Sequence, residues 1–271
     1  MQSALREGFS YRFTDAVVRK PGLSVADGLR AVDRGQPDIK RFMAEHNAYV
    51  RVLERAGLKV EVLPPLEAFP DSVFVEDAAL CLPGGTVILN PGAPSRAGEA
   101  GVTAAALSGL GHEIQRLSPG GCVDGGDILV TDSVILVGLS ARTNQAGFAA
   151  LKNILDGWDY PVQAVHTPEN VLHFKSDCSL LDSETILATS RLSGAECFAP
   201  FRVLTVPPGE EAAANSVRVN NKVLVPAGYP STAELITRAG YAVEVVRADQ
   251  AALLDGGLSC MSLRIGCTYT D

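Results

Sequence analysis

The chain has 271 residues, 46% hydrophobic and 20% charged, enough to bury a sizeable core. Its formal charge of -8, without a Lys/Arg run, excludes an ordinary nucleic-acid or anionic-membrane binder and suits a cationic small-molecule partner. No apolar run reaches about 18 residues and "MQSALREGFSYRF" lacks a long apolar segment, so a cytoplasmic protein without a transmembrane helix is expected.

In chain order, "FTDAVVRKPG" (13–22) reads as a strand. A long Gly-rich connection, "RKPGLSVADGLRAVDRGQP" (19–37), follows, and long connections of this kind are often lids. The helix "DIKRFMAEHNAYVRVLERA" (38–56) comes next, then Gly57 and the strand "LKVEVLPP" (58–65). One motif then recurs: two short strands, a helix, and a strand introduced by a turn. The first copy is "FVEDAALCL", "TVILN", a helix over "RAGEAGVTAAALSGL", Gly111 and "HEIQRL". The second is "DGGDILV", "SVILVG", a helix over "NQAGFAALKNIL" and "PVQAV". The third, "SDCSLLD", "TILATS" and "RVLTV", has a degraded helix. The fourth is "ANSVRVN", "KVLVPAG", a helix over "STAELITRA", Gly240 and "YAVEVV". Finally "LSCMSLRI" (258–265) supplies the missing first strand of the unit that opens the chain. Joining the two ends closes a ring of five ββαβ units, with a repeat of roughly 40–50 residues, in one domain spanning 1–271.

In such a ring the first strands of the units meet at the centre. They carry Glu76 and Asp77, Asp124 to Asp127, His173 to Asp177, Asn215 and Cys260. Turn-forming propensity accounts for Asp127 and Asp177. It does not account for Glu76 and Asp77 inside "FVED", nor for His173 between Leu172 and Phe174, because buried polar groups need partners. Cys260, His173 and Asp124 are the residue types of covalent catalysis: nucleophile, acid/base and orienting carboxylate. The six cysteines show no CxxC and no zinc-ligand spacing with histidine, so they read as reduced thiols. No metal and no cofactor is expected, although Cys260 with His173 could capture adventitious zinc. Cys178 reads as core packing and Cys267 as an exposed thiol near the tail; His46 and His112 receive no role.

At "PDSVFVEDAAL" (70–80), "NPGAPSR" (90–96), "VDGGDIL" (123–129), "VGLSARTNQAG" (137–147), "LHFKSDCSLL" (172–181) and "LDGGLSC" (254–260) the sequence resembles the dimethylarginine dimethylaminohydrolases of the pentein superfamily. The motifs run in that family's order over nearly the whole chain. The resemblance implies an α/β propeller of five ββαβ units about a pseudo-five-fold axis. It implies hydrolysis of Nω-methylated arginines to citrulline through a covalent thiouronium intermediate. Cys260 is then the nucleophile, His173 the acid and base, and Asp124 the carboxylate beside it. Asp77, with Glu76, anchors the guanidinium. Asp71 and the carbonyls of Leu29 and Leu254 take the α-ammonium group, and Arg96 and Arg142 take the α-carboxylate. The partner is a small guanidine amino acid, and a homodimer is allowed for.

Arginine deiminases resemble this family but place an aspartate two residues after the histidine, where this chain has Lys175. The second glycine of "LDGG", Gly257, stands where many relatives carry a bulkier residue, and the tail "GCTYTD" is outside the pattern. A deiminase, or another guanidine hydrolase, is the competing enzyme reading. A non-catalytic pentein of the translation-initiation-factor-six kind is the competing binding reading, and the Cys/His/carboxylate set argues against it. "PGGCVDGGD" is not a phosphate loop, because no G-x-G-x-x-G opens a helix and there is no GK[ST].

Overall fold

The computed structural model describes residues 8–169 and 171–266; Cys267 and the rest of the tail lie outside them. The chain opens with β1 (Asp15–Arg19), α1 (Ile39–Arg55) and β2 (Lys59–Leu63). The next unit is β3 (Ala79–Leu82), β4 (Gly85–Ile88), α2 (Glu99–Gly109) and β5 (Ile114–Arg116). Then come β6 (Ile128–Val130), β7 (Ile135–Leu139), α3 (Gln145–Asp156) and β8 (Val162–His166). A helix-poor unit follows: β9 (Cys178–Leu180), β10 (Thr185–Ala188) and β11 (Arg202–Thr205), with only a 3-10 turn at Glu196–Phe198. The last elements are β12 (Val217–Val219), β13 (Lys222–Pro226), α4 (Pro230–Arg238), β14 (Ala242–Val246), the single turn α5 (Asp249–Ala252) and β15 (Leu263–Ile265).

These strands form five three-stranded sheets with one pattern: first strand antiparallel to the second, second parallel to the third. A parallel neighbour needs a crossover, which helices supply in four units and an irregular connection with one 3-10 turn supplies between β10 and β11. The split unit closes as expected. β15 pairs antiparallel with β1, Asp15 opposite Ile265, and β1 pairs parallel with β2, Asp15 opposite Lys59. The architecture is an α/β propeller closed by its own termini.

Local sequence explains the helix bounds. Asp38 caps α1 by accepting from the Arg41 N–H, and Asn144 caps α3 by accepting from the Gly147 N–H. Gly57, Gly111 and Gly240 lie just past their helices with φ of 98°, 89° and 98°, the left-handed conformation that stops a helix. In α1 the buried Phe42, His46, Tyr49 and Leu53 fall at spacings of four, three and four, one stripe of the helix. The core is divided into five apolar clusters. Fully buried Leu53, Leu107, Leu151 and Phe174 anchor four of them, each stabilising the fold by about 1.5–3 kcal/mol.

Candidate active site

The first strands are shorter than the sequence suggests, because a 3-10 turn precedes each one. The turns are Val75–Ala78, Gly125–Asp127, Phe174–Ser176, Glu211–Ala214 and Ser259–Met261. They pack on one another around the axis. The candidate residues sit on or beside them: Glu76 and Asp77 on the first, Asp124 and His173 just before the second and third, Cys260 in the last. Close backbone approach makes this convergence possible. A Cβ on Gly125 would lie 1.9 Å from the Glu76 carbonyl oxygen, so only glycine lets these two turns meet.

One cavity of about 170 Å³ gathers Cys260, His173, Asp71, Asp77, Arg96 and Arg142, with Leu29 and Leu254 at its wall. Asp124 has no exposure and lies behind His173, its Oδ2 2.8 Å from His173 Nε2. Its other oxygen accepts from the Gly92 N–H at 2.6 Å, which fixes the carboxylate plane.

Glu76 is the exception. On a tight 3-10 turn neighbouring side chains diverge, and Glu76 points away from Asp77. It accepts from Lys175 Nζ at 2.5 Å, Arg264 Nη2 at 2.7 Å and Ser259 Oγ at 2.9 Å. It lines a separate cavity of about 120 Å³, further along the axis between the first strands. The expectation that Glu76 binds substrate is corrected: its carboxylate neutralises two partly buried cations, Lys175 and Arg264, instead.

The electrostatics divide the site into charged and uncharged partners. Burial pulls the His173 imidazole down, but Asp77, the Asp124 hydrogen bond and Asp127 outweigh it and push His173 up to about 9. Burial pushes Asp77 up, but His173, Arg96 and the Gly126 N–H hold it at about 2. Burial pushes the Cys260 thiol up to about 12, helped by the carboxylates of Glu76 and Asp77, although the Gly257 N–H and Lys175 oppose it. At neutral pH the resting site therefore holds a thiol and an imidazolium. Asp71 is raised by burial, against the pull of Arg96.

The two arginines differ. Arg96 is 3% exposed; Nη1 donates to Asp77 at 2.6 Å, Nε and Nη2 donate to Glu99, and Nη2 also donates to the Phe74 carbonyl. Arg142 is partly exposed, its nearest carboxylate being Asp124 at 3.4 Å. Most of its fork therefore faces the cavity. The 19–37 connection closes the cavity on one side. Leu29 N–H donates to Asp71 Oδ1 at 2.9 Å and Ala31 N–H to Asp255 Oδ2 at 2.5 Å. Among the described residues, the ligand atoms of Asp77, Asp124 and His173 lie within 4.8 Å of one another. Each is already paired with the others or with Arg96, Arg142, Gly92 or Gly126.

A family model described as N,N dimethylarginine dimethylhydrolase, eukaryotic, matches residues 31–178. The N(G),N(G)-dimethylarginine dimethylaminohydrolase of Pseudomonas aeruginosa is 38% identical over 253 residues, covering 93% of this chain and 99% of that protein. The chain belongs to the dimethylarginine dimethylaminohydrolase family. The Streptomyces coelicolor member is 33% identical, covering 94% of this chain and 98% of its own. The solved structure of a cysteine variant of the Pseudomonas enzyme, complexed with citrulline, superposes with a TM-score of 0.90 at 37% identity, covering 94% of this chain and all of that one.

Three residues that support this family member's site receive no functional role from sequence, where Asp127 reads as a turn former. Glu99 completes the cradle of Arg96, one helical turn beyond it. Asp127 is wholly buried and accepts from Ser140 Oγ, Thr143 Oγ1 and the Phe174 N–H, so it ties the turn beside His173 to the second unit. Tyr49 donates to the Leu258 carbonyl at 2.9 Å, and its oxygen also meets Ser262 Oγ, so α1 supports the Cys260 turn from outside. No hydropathy signal marks these three; a buried polar residue in an apolar stripe is the only trace. Cys178 lies in the core with its thiol raised by burial, as expected.

Proposed function

We propose that the protein hydrolyses Nω-methylated arginines, asymmetric dimethylarginine and monomethylarginine, to citrulline and dimethylamine or methylamine. The observation that carries this reading is the gathering of Cys260, His173 and Asp77 on one cavity, with Asp124 hydrogen-bonded behind His173. A guanidinium is a planar cation with a fixed fork of donors, which Asp77 can accept at the cavity wall, while Asp124, behind His173, holds the imidazole and not the substrate. Its charge beside Cys260 favours the thiolate that the resting site disfavours, so substrate binding activates the nucleophile. As substrate binds, the Cys260 thiol gives up its proton to solvent, and the thiolate sulfur adds to the guanidinium carbon. His173 gives its proton to the departing amine, the C–N bond breaks, and an S-alkylthiouronium remains on Cys260. Neutral His173 then takes a proton from water, the hydroxide adds to the same carbon, the C–S bond breaks, and citrulline leaves. Arg142 holds the α-carboxylate, and Asp71 with the carbonyls of Leu29 and Leu254 holds the α-ammonium group. This fixes the reacting carbon over the sulfur.

Arg96 we assign to Asp77 first and to the substrate carboxylate second, because its donors are largely engaged. Lys175, standing where the deiminases resembled carry an aspartate, favours this reaction over deimination of free arginine, and its charge is paired with Glu76. All five described cysteines are free, which fits a reducing, cytoplasmic setting. Among the described residues no helix is long and apolar enough to cross a membrane. The deciding experiment incubates wild type and Cys260→Ser with asymmetric dimethylarginine and, separately, arginine. Citrulline with dimethylamine from wild type alone is expected. Citrulline with ammonia from arginine alone would move the protein to the deiminases.

A further inference from the structure

The fourth unit lends no residue to the cavity, yet its turn ends in Asn215, whose side chain bonds to both of the turns that carry the proposed catalytic pair. The carboxamide orientation is fixed by partners that have one role each. Asn215 Oδ1 accepts from the Ser259 N–H at 3.1 Å, and that nitrogen can only donate. Asn215 Nδ2 donates to the Lys175 carbonyl at 3.0 Å, which can only accept. Nδ2 also donates to Ser259 Oγ at 3.0 Å, and that hydroxyl passes its own proton to Glu76 Oε2 at 2.9 Å.

Ser259 precedes the nucleophile, and Lys175 lies two residues after His173. A single amide therefore bridges the turn that presents Cys260 and the turn that presents His173. A third contact reaches the donor aimed at the sulfur. Gly257 lies flush against the Asn215 carboxamide: a Cβ there would come within 2.3 Å of Oδ1. From that position the Gly257 N–H points at Cys260 Sγ at 3.4 Å. A donor at that sulfur favours the thiolate over the thiol.

We infer that Asn215 is a positioning residue that holds the Cys260 turn against the His173 turn and seats the Gly257 N–H on the nucleophilic sulfur. It does not reach the cavity and does not touch substrate, so its loss is felt in the chemical step more than in binding. The inference rests on the proposed hydrolysis, but part of its test does not. Asn215→Ala removes all three hydrogen bonds. Asn215→Asp keeps the acceptor for Ser259 N–H and loses both donors. For each variant, Cys260 alkylation by iodoacetamide is followed against pH, kcat and KM are measured with asymmetric dimethylarginine, and Tm is recorded.

Asn215→Ala is expected to lower kcat by about 10²-fold with KM within about threefold, and to move the alkylation midpoint to higher pH. Asn215→Asp is expected to fall between it and wild type. A lowered Tm with unchanged alkylation midpoint and kcat would overturn the inference and leave Asn215 a structural link only. If wild type turns over no methylarginine, the proposed function fails, while the alkylation profiles still decide the role of Asn215. Should Asn215→Ala fail to fold, the alkylation midpoint of Asn215→Asp decides alone, and one equal to wild type counts against the role.

Discussion

Oδ2 of Asp124 lies 2.8 Å from Nε2 of His173, and no part of Asp124 is exposed to solvent. A carboxylate so placed holds the imidazole as a cation, and Asp77 adds the largest single charge contribution in the same direction. The group's pKa is raised from 6.5 to about 9 in the folded protein. Its stabilisation is thus complete below the unfolded value and is lost as pH climbs through about 9.

The first prediction follows from that sign. The His173 imidazole signal, followed by NMR, titrates near pH 9 in wild type and well below that in Asp77→Asn. The Tm of wild type falls between neutral pH and pH 10 by more than that of His173→Gln. A wild-type midpoint at or below 6.5 would show that the imidazole is neutral at rest and cannot be the first acid.

A second prediction separates the two arginines. Arg142 keeps donors free at the cavity, whereas Arg96 is buried between Asp77 and Glu99. Arg142→Ala should raise KM for methylated arginine by about 10- to 100-fold, the range of a lost charge-assisted contact, with little change in Tm. Methylated agmatine, which has no carboxylate, should not distinguish Arg142→Ala from wild type. Arg96→Ala should instead destabilise the fold by about 3–5 kcal/mol, because two buried carboxylates lose their partner. Thermal melts of the two variants side by side test the contrast.

The ring was readable from sequence because each unit repeats the same order of strands and helix, and because a first strand was missing at one terminus and surplus at the other. Leu29, Asp71, Asp77, Arg96, Arg142, His173, Leu254 and Cys260 all line one cavity. Glu76 does not, and the reason is local: adjacent side chains diverge on a strand and on a 3-10 turn alike, so of Glu76 and Asp77 only one could face the cavity, and composition does not say which. The burial of Arg96 was hidden for a similar reason, since its second carboxylate, Glu99, looks like an ordinary first-turn acid of α2. Asn215 could be placed on the ring but not given a task, because its partners lie 40 and 44 residues away.

A third prediction concerns the 19–37 connection. Two backbone N–H groups, of Leu29 and Ala31, hang on Asp71 and Asp255, while Leu23 and Val32 are largely exposed. Such a segment opens at low cost. Limited proteolysis within 28–37 should slow when citrulline is bound and accelerate in Asp255→Ala. Equal cleavage rates with and without citrulline would mean that the segment is a fixed wall and not a lid.

The last prediction tests the corrected place of Glu76. Its carboxylate is held ionised against burial by Lys175 and Arg264, so its stabilisation is present at neutral pH and is lost as pH falls below the ordinary value of 4.5. Glu76→Gln leaves both cations without a counter-charge, which costs about 3–5 kcal/mol. In a chain of this size that lowers Tm by roughly 2–4 °C for each kcal/mol. The same change removes the carboxylate that, after burial, does most to raise the Cys260 thiol. Alkylation of Cys260 should therefore shift to lower pH in Glu76→Gln, the opposite direction from Asn215→Ala. Because Glu76 faces the second cavity, KM for methylated arginine should stay within about threefold of wild type. A KM that rises tenfold or more would return Glu76 to the guanidinium site. An alkylation midpoint that stays fixed would mean that Lys175 and Arg264 shield the sulfur from this carboxylate entirely.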